Sequence, residues 1–355
     1  MRHLLAAAVR TIRERVSWHA VGVVLSVTII TIAAITLAHI LRDVEVDKIT
    51  LALRDTPGHR IAVAAALIAA AYVTLTFYDW FALRTIGRKD VPYRVAAFAA
   101  FASYSIGHNI GATVFTGGAI RFRIYSAWGL TIVDVAKLAF VTGLTFWLGN
   151  AFVLGLGMAY APRAASAINH LPPSLNRALA LAMLAAIVLY LAWVARGPRV
   201  IGRDGWKVQL PTAKLTLVQI GIGFLDLGLS GCAMYALTSP GHEVGFVTII
   251  VTFVLATLLG FASHAPGGIG VFDAAMLVGL REIDKEALLA ALVLFRLLYY
   301  IVPFTLALTL LGCRELWLSA RAAAHARQVK HKQLTHEPVR PCSGSKRPIE
   351  PAPPG

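Results

Sequence analysis

Eight stretches of the chain stay apolar: 20–41, 61–81, 95–120, 133–160, 178–195, 215–237, 246–280 and 287–312. A run of about 18 or more apolar residues reads as a candidate transmembrane helix, and each of the eight reaches that length. Six are continuous and predict full spans. The other two carry breakers: Gly107, Gly111, Gly117 and Gly118 in 95–120, and Pro266-Gly267-Gly268 with Gly270 in 246–280. The first run follows Arg2, Arg10, Arg13 and Arg15 and contains Thr36-Leu37-Ala38, which resembles a cleavage site. Its 22 residues exceed the roughly 7–15 of a signal-peptide core, so it is predicted to be an uncleaved span.

Composition agrees with this pattern and excludes a pair of soluble domains. Of the 355 residues 57% are hydrophobic and only 14% charged, and the mean hydropathy is +0.69. A soluble domain carries roughly 25% charged residues to face water. The net charge of +15 would raise nucleic acid as a partner in a soluble protein. No basic patch with interleaved aromatics and no zinc-finger spacing accompanies it, so no nucleic acid is expected. Cys232, Cys313 and Cys342 lie far apart, without disulfide or metal-ligand spacing. No metal and no cofactor are expected.

The charge matters through its position. Lys and Arg concentrate in 1–19, 82–94, 196–214 and the tail from 313, whereas 42–60 balances four basic against four acidic residues. Cytoplasmic loops of membrane proteins are enriched in Lys and Arg, so the basic segments, both termini included, are predicted to be cytoplasmic. Between 82–94 and 196–214 the chain must then cross an even number of times, yet three apolar runs intervene. The run 95–120 is predicted to dip in and return as a re-entrant hairpin, with two arms of about 13 residues, roughly 20 Å each. The same argument makes 246–280 a second re-entrant hairpin, entered from outside. With this topology 23 of the 33 Lys and Arg are cytoplasmic.

The order helix, hairpin, helix then appears twice, at 61–160 and inverted at 215–312. Phe101-Ala102-Ser103 recurs as Phe261-Ala262-Ser263, and Asp79 has a counterpart in Asp226. Inverted repeats whose broken helices meet near the bilayer centre are a common transporter architecture. The domain plan is a basic N-terminus over 1–19, a transmembrane domain over 20–315 and a basic, Pro-rich, disordered tail over 316–355.

Ionisable residues inside the apolar runs are costly in lipid and should pair or face a cavity. They are Asp79, His108, Asp134, Lys137, Asp226, His264, Asp273 and Arg296. Asp134 and Lys137 begin a helix and fit the interface. Asp226 and Arg296 admit two readings, a structural ion pair or the lining of a route. In Gly117-Gly118-Ala119-Ile120-Arg121-Phe122-Arg123-Ile124-Tyr125 the glycines allow close backbone approach. Two arginines and a tyrosine there could grip a phosphate or anchor the hairpin in the interface. On a helix Arg121 and Tyr125 share a face and Arg123 turns away. One histidine and one aspartate in His264-Ala265-Pro266-Gly267-Gly268-Ile269-Gly270-Val271-Phe272-Asp273 do not make a zinc site. No nucleophile elbow, HExxH or acid–base pair is present, so no catalytic residue is assigned and the chain is not expected to be an enzyme.

These segments carry a resemblance. The chain resembles the transmembrane, flippase-type domain of lysylphosphatidylglycerol synthases over roughly residues 20–315. The resemblance runs through Tyr78-Asp79, Ala82-Leu83-Arg84-x-Ile86-Gly87, Pro92-Tyr93-Arg94 and Gly107-His108-Asn109-x-Gly111. It continues through Thr116-Gly117-Gly118-Ala119-x-Arg121-x-Arg123-x-Tyr125, Trp128-Gly129-Leu130 and Pro266-Gly267-Gly268-x-Gly270-x-Phe272-Asp273. It implies a stand-alone member without the synthase domain. Such a member would bind or move phosphatidylglycerol, its aminoacyl derivative or another envelope lipid in the bacterial inner membrane. On that reading Arg121, Arg123, Tyr125 and Arg296 engage the headgroup. Asp79, His108, Asn109, Asp226, His264 and Asp273 line or gate the route. The alternative is a membrane scaffold for a lipid-synthesis enzyme; an intramembrane enzyme ranks below both.

Overall fold

A computed structural model describes Thr50 and residues 54–110, 113–203, 206–238 and 244–335. The predicted span 20–41 and the basic N-terminus lie outside these residues. The chain divides between Leu308 and Thr309 into two compact units. Its elements are almost all helical, as the apolar runs require: α1 (Gly58–Thr85), α2 (Tyr93–Ile110), α3 (Thr113–Tyr125), α4 (Ile132–Tyr160), α5 (Pro162–Asn169) and α6 (Pro173–Ala195). A short antiparallel ribbon of β1 (Val200–Arg203) and β2 (Trp206–Gln209) follows, with Val200 opposite Gln209. Then come α7 (Ala213–Leu237), α8 (Phe246–Ala262), α9 (Val271–Gly279), α10 (Lys285–Arg296) and α11 (Val302–Thr335).

Five helices among the described residues are long and apolar enough to cross a membrane: α1, α4, α6, α7 and the run Lys285–Arg314. Each falls on a predicted span. Helix α1 shows how such a helix is organised. Its buried positions Ala64, Ile68, Ala71, Tyr72, Leu75, Tyr78, Asp79 and Ala82 recur at a helical period, and its polar Tyr72, Tyr78 and Asp79 lie on that inner stripe. Val63 and Val73 face outward. Polar groups turn in and apolar groups turn out because the surrounding solvent is hydrocarbon. Gly87, at φ 86°, ends the helix in the left-handed conformation that glycine adopts without a Cβ penalty.

Both broken runs form helical hairpins, but their breaks differ from the sequence reading in one respect. In the first, α2 continues through Gly107 to Ile110 and α3 begins at Thr113, so Gly117 and Gly118 sit inside a helix. A Cβ at Gly117 would lie 3.3 Å from Arg121 Nη1 and 3.4 Å from the Ser103 carbonyl oxygen on α2, so the two arms are in van der Waals contact there. The arms are 18 and 13 residues. In the second hairpin the helix stops at Ala262, and the predicted Pro-Gly segment forms a 3₁₀ turn over Pro266–Gly268. Gly267, Gly268 and Gly270 all take positive φ, at 59°, 61° and 83°.

The two halves lock together through α1, α4 and α7. At the crossing of α4 and α7, Gly149 and Gly223 approach so closely that a Cβ on either would lie 2.6 Å from the other's Cα. Small residues at such contacts let helix backbones meet in a membrane. The last run is not one uniform helix: Leu297–Ile301 forms a π turn between α10 and α11. The tail reading needs correction, since α11 continues to Thr335 and makes 316–335 helical. This stretch is rich in Ala, Arg, Leu, Lys and Gln, all strong helix formers, and contains no proline. Residues 336–355 lie outside the described part.

Candidate functional site

Three centres stand out in the interior of the described residues. The first is a buried ion pair. Asp79 on α1 is fully buried, and Arg121 on α3 grips it through Nε at 3.1 and 2.9 Å and Nη2 at 2.8 Å. The Tyr125 hydroxyl, one turn further on, donates to Asp79 Oδ2 at 2.8 Å. The Arg121 guanidinium also stacks 4.7 Å above the Tyr104 ring, a favourable placement for a cation on an aromatic face. The shared face of Arg121 and Tyr125 is thus present, directed at Asp79, a partner not assigned from the sequence. Arg123 is exposed on the other side.

The second centre joins α10 to the second hairpin. Arg296 Nε and Nη2 donate to Asp273 at 3.0 and 2.6 Å, and Nη1 donates to the Gly267 carbonyl at 3.1 Å. Asp273, in the first turn of α9, also accepts the Gly270 N–H at 3.0 Å. A carboxylate at a helix N-terminus is favoured by the helix dipole. The Pro-Gly turn is therefore stapled from both sides, by an arginine to its carbonyl and an aspartate to its amide. Of the two readings of Arg296 and Asp226, the ion-pair partner of Arg296 is Asp273, not Asp226.

Asp226 stands at the third centre, a cavity of about 170 Å³. Both hairpins line it: Tyr104, His108 and Phe115 from the first, and Gly260, Phe261, His264, Gly267 and Phe272 from the second. Asp226 is 6% exposed. The Tyr78 hydroxyl donates to its Oδ2 at 3.3 Å, while Oδ1 has no hydrogen-bond partner among the described residues. His264 takes a left-handed φ of 54°, uncommon for a non-glycine residue, and its Nδ1 lies 2.9 Å from the Ala262 carbonyl.

The sequence reading missed the aromatic wall, chiefly Tyr299 and Tyr300 in the π turn. The signal for it is Pro303. A proline has no N–H to bond the carbonyl four residues earlier and crowds it sterically, here the carbonyl of Tyr299. That carbonyl instead accepts the Tyr72 hydroxyl at 2.8 Å, and the neighbouring Tyr300 carbonyl accepts Asn109 Nδ2 at 3.1 Å. Asn109 thus ties the tip of the first hairpin to the break in the last long run. π turns occur often at functional sites.

Known proteins share this chain's sequence over most of its length. The Synechocystis protein slr0712 is 31% identical over 258 residues, covering 72% of this chain and 80% of that protein. The chain belongs to its family. The inner membrane protein YbhN of Escherichia coli is a further member, 27% identical over 274 residues, covering 75% of this chain and 84% of YbhN. A phosphatidylglycerol lysyltransferase of Staphylococcus epidermidis shares 46% identity over 70 residues, 19% of this chain and 8% of the enzyme. No family model matches the chain. The family is therefore one of membrane proteins akin to the transmembrane part of lysylphosphatidylglycerol synthases, which links this chain to a lipid-handling membrane region.

Proposed function

We propose that the chain is a lipid translocase of the bacterial inner membrane, with both termini cytoplasmic, and acts as a carrier, not an enzyme. One observation supports this above the others: in a membrane chain, two broken hairpins close on one aromatic, partly polar cavity. Broken helices at membrane depth are tolerated where protein or a water-filled cavity covers them, and transporters place their sites there.

The arginine pairs fit the same reading as latches. A guanidinium fork that holds a carboxylate also fits a lipid phosphate. Exchange of Asp79 or Asp273 for a headgroup phosphate frees one hairpin arm from its neighbour and lets the cavity open toward that side. Arg123, two residues after Arg121 and on the exposed face of α3, adds charge for an anionic headgroup. The lipid is phosphatidylglycerol, an aminoacyl derivative of it, or another envelope lipid with a phosphate.

The test is leaflet exchange in proteoliposomes. Fluorescent phosphatidylglycerol and aminoacyl-phosphatidylglycerol are incorporated, and the inner-leaflet signal is followed with an impermeant reductant. The protein should accelerate loss of the protected signal, and Arg121→Gln together with Arg296→Gln should abolish the acceleration. An unchanged rate with either lipid and with total envelope lipid would overturn the translocase reading and favour a scaffold.

A further inference from the structure

Apart from the two arginine pairs, the inner face of α7 carries a column of polar side chains that the fold leaves short of partners. Gln219, Asp226 and Ser230 are 0%, 6% and 3% exposed. Among the described residues neither side-chain polar atom of Gln219 has a hydrogen-bond partner, and neither does Asp226 Oδ1 or Ser230 Oγ. Steps of seven and four residues return to one face of a helix. The column rises about 16 Å, roughly half the thickness of a bilayer core. Asp226 and Ser230 also line the cavity. Buried polar groups normally find partners, so exceptions call for an explanation. Ionisable residues aligned inside membranes commonly mark ion or proton routes.

We propose that this column is a proton path and that Asp226 is its proton-binding site, which makes lipid movement proton-coupled; this rests on the translocase reading above. The step is an acid–base exchange. A proton from water on one side adds to the Asp226 carboxylate to give the neutral acid, and later leaves the acid to water on the other side. No other bond forms or breaks.

The surroundings suit that step because, among the described residues, no cation pairs with Asp226. Arg121 is engaged by Asp79 and Arg296 by Asp273. The groups close to Asp226 are weak acids, Tyr72 and Tyr78 from α1, Tyr104 from α2 and Tyr299 from the π turn; His108, His264 and Tyr300 line the same cavity. Helix α8 has no ionisable residue. Helix α4 carries Asp134, Lys137 and Tyr160 near its ends, α6 contributes Arg177 and Tyr190, and α10 has Lys285 and Glu286 in its first turn. Gaining or losing a proton at Asp226 therefore changes the charge at the cavity wall by a full unit, with no nearby ion pair rearranged.

Two measurements test the proposal separately from the translocase reading. The first is an infrared pH titration of the purified protein. The wild type should show a carboxylic-acid carbonyl band that titrates and is missing from Asp226→Asn, and Tyr78→Phe should shift that band. Identical titrations of the wild type and Asp226→Asn would overturn the proton site, whatever the protein does with lipid. The second is leaflet distribution of the fluorescent lipids under an imposed pH gradient, with the membrane potential clamped by potassium and valinomycin. At one proton per lipid, one pH unit should bias the leaflets about tenfold. The bias should vanish in Asp226→Asn and build more slowly in Gln219→Leu. Lipid exchange that equalises the leaflets regardless of the gradient would overturn coupling and leave the translocase reading intact. No exchange at all would remove the translocase reading and coupling with it, while the infrared band still decides the proton site.

Discussion

Asp79 and Asp226 lie on two of the long helices, α1 and α7, and both are buried. Asp79 accepts four hydrogen bonds, three of them from an arginine. Asp226 accepts one, from a tyrosine at 3.3 Å. Adjacent residues of α1 serve the two centres: Asp79 meets Arg121, and Tyr78 reaches across to Asp226. The same residue type, buried on two long helices, therefore has two physical characters. With a guanidinium fork the carboxylate is a structural post. Without a cation it is a group whose charge state is free to change, and burial alone does not distinguish them.

Asparagine substitution should separate the two most sharply. Asp79→Asn leaves Arg121 buried without a counter-charge. Breaking one side of a buried pair costs about 3–5 kcal/mol, read as a large fall in the thermal midpoint in detergent. Asp226→Asn removes a charge that has no cation, so it should cost less than about 1 kcal/mol or stabilise the protein. Equal losses for the two variants would break the comparison. The tyrosines sharpen it at smaller scale. Tyr125→Phe deletes a 2.8 Å hydrogen bond to a paired carboxylate, worth about 1.5–3 kcal/mol for a charged acceptor. Tyr78→Phe deletes the longer bond to Asp226 and should cost under about 1 kcal/mol. Melting both variants against their aspartate partners gives the two coupling energies directly.

Much of this architecture was legible from runs of apolar residues, because lipid imposes a length on any helix that crosses it. The second hairpin was legible as well, since Pro266, Gly267, Gly268 and Gly270 punctuate the run where the helix stops. The first hairpin was located correctly, but its break was spread over four glycines. Gly117 and Gly118 lie within α3, so neither makes the turn. The pairing of Arg121 with Asp79, 42 residues apart, was not legible. Spacing along a helix shows which residues share a face but not what the face meets. The choice of Asp273 over Asp226 for Arg296 was hidden for the same reason. The π turn could have been found from Pro303, whose missing N–H frees the Tyr299 carbonyl for Tyr72.

The smallest expected effect lies outside the membrane, where the same Arg–Asp chemistry meets water. In the loop between α1 and α2, Arg88 donates to both Asp90 oxygens at 3.0 and 2.9 Å and also to the Gly129 and Trp128 carbonyls beyond α3. The Arg88 hydrogen bond holds the Asp90 carboxyl below the usual carboxylate range. A depressed value in the folded state adds stability that is present above the unfolded carboxylate's value and lost as pH falls through the folded one. Acid therefore weakens this pair and base does not. Its Asp90 side chain is 54% exposed, so solvent and salt screen it. Asp90→Asn should lower the thermal midpoint only slightly at neutral pH and not at all in acid, where the wild-type pair is already lost, and high salt should remove the difference. If Asp90→Asn lowered the neutral midpoint as far as Asp79→Asn does, the bidentate contact would be the source of stability at both places. Exclusion of water around Asp79, which separates it from Asp90, would then explain nothing.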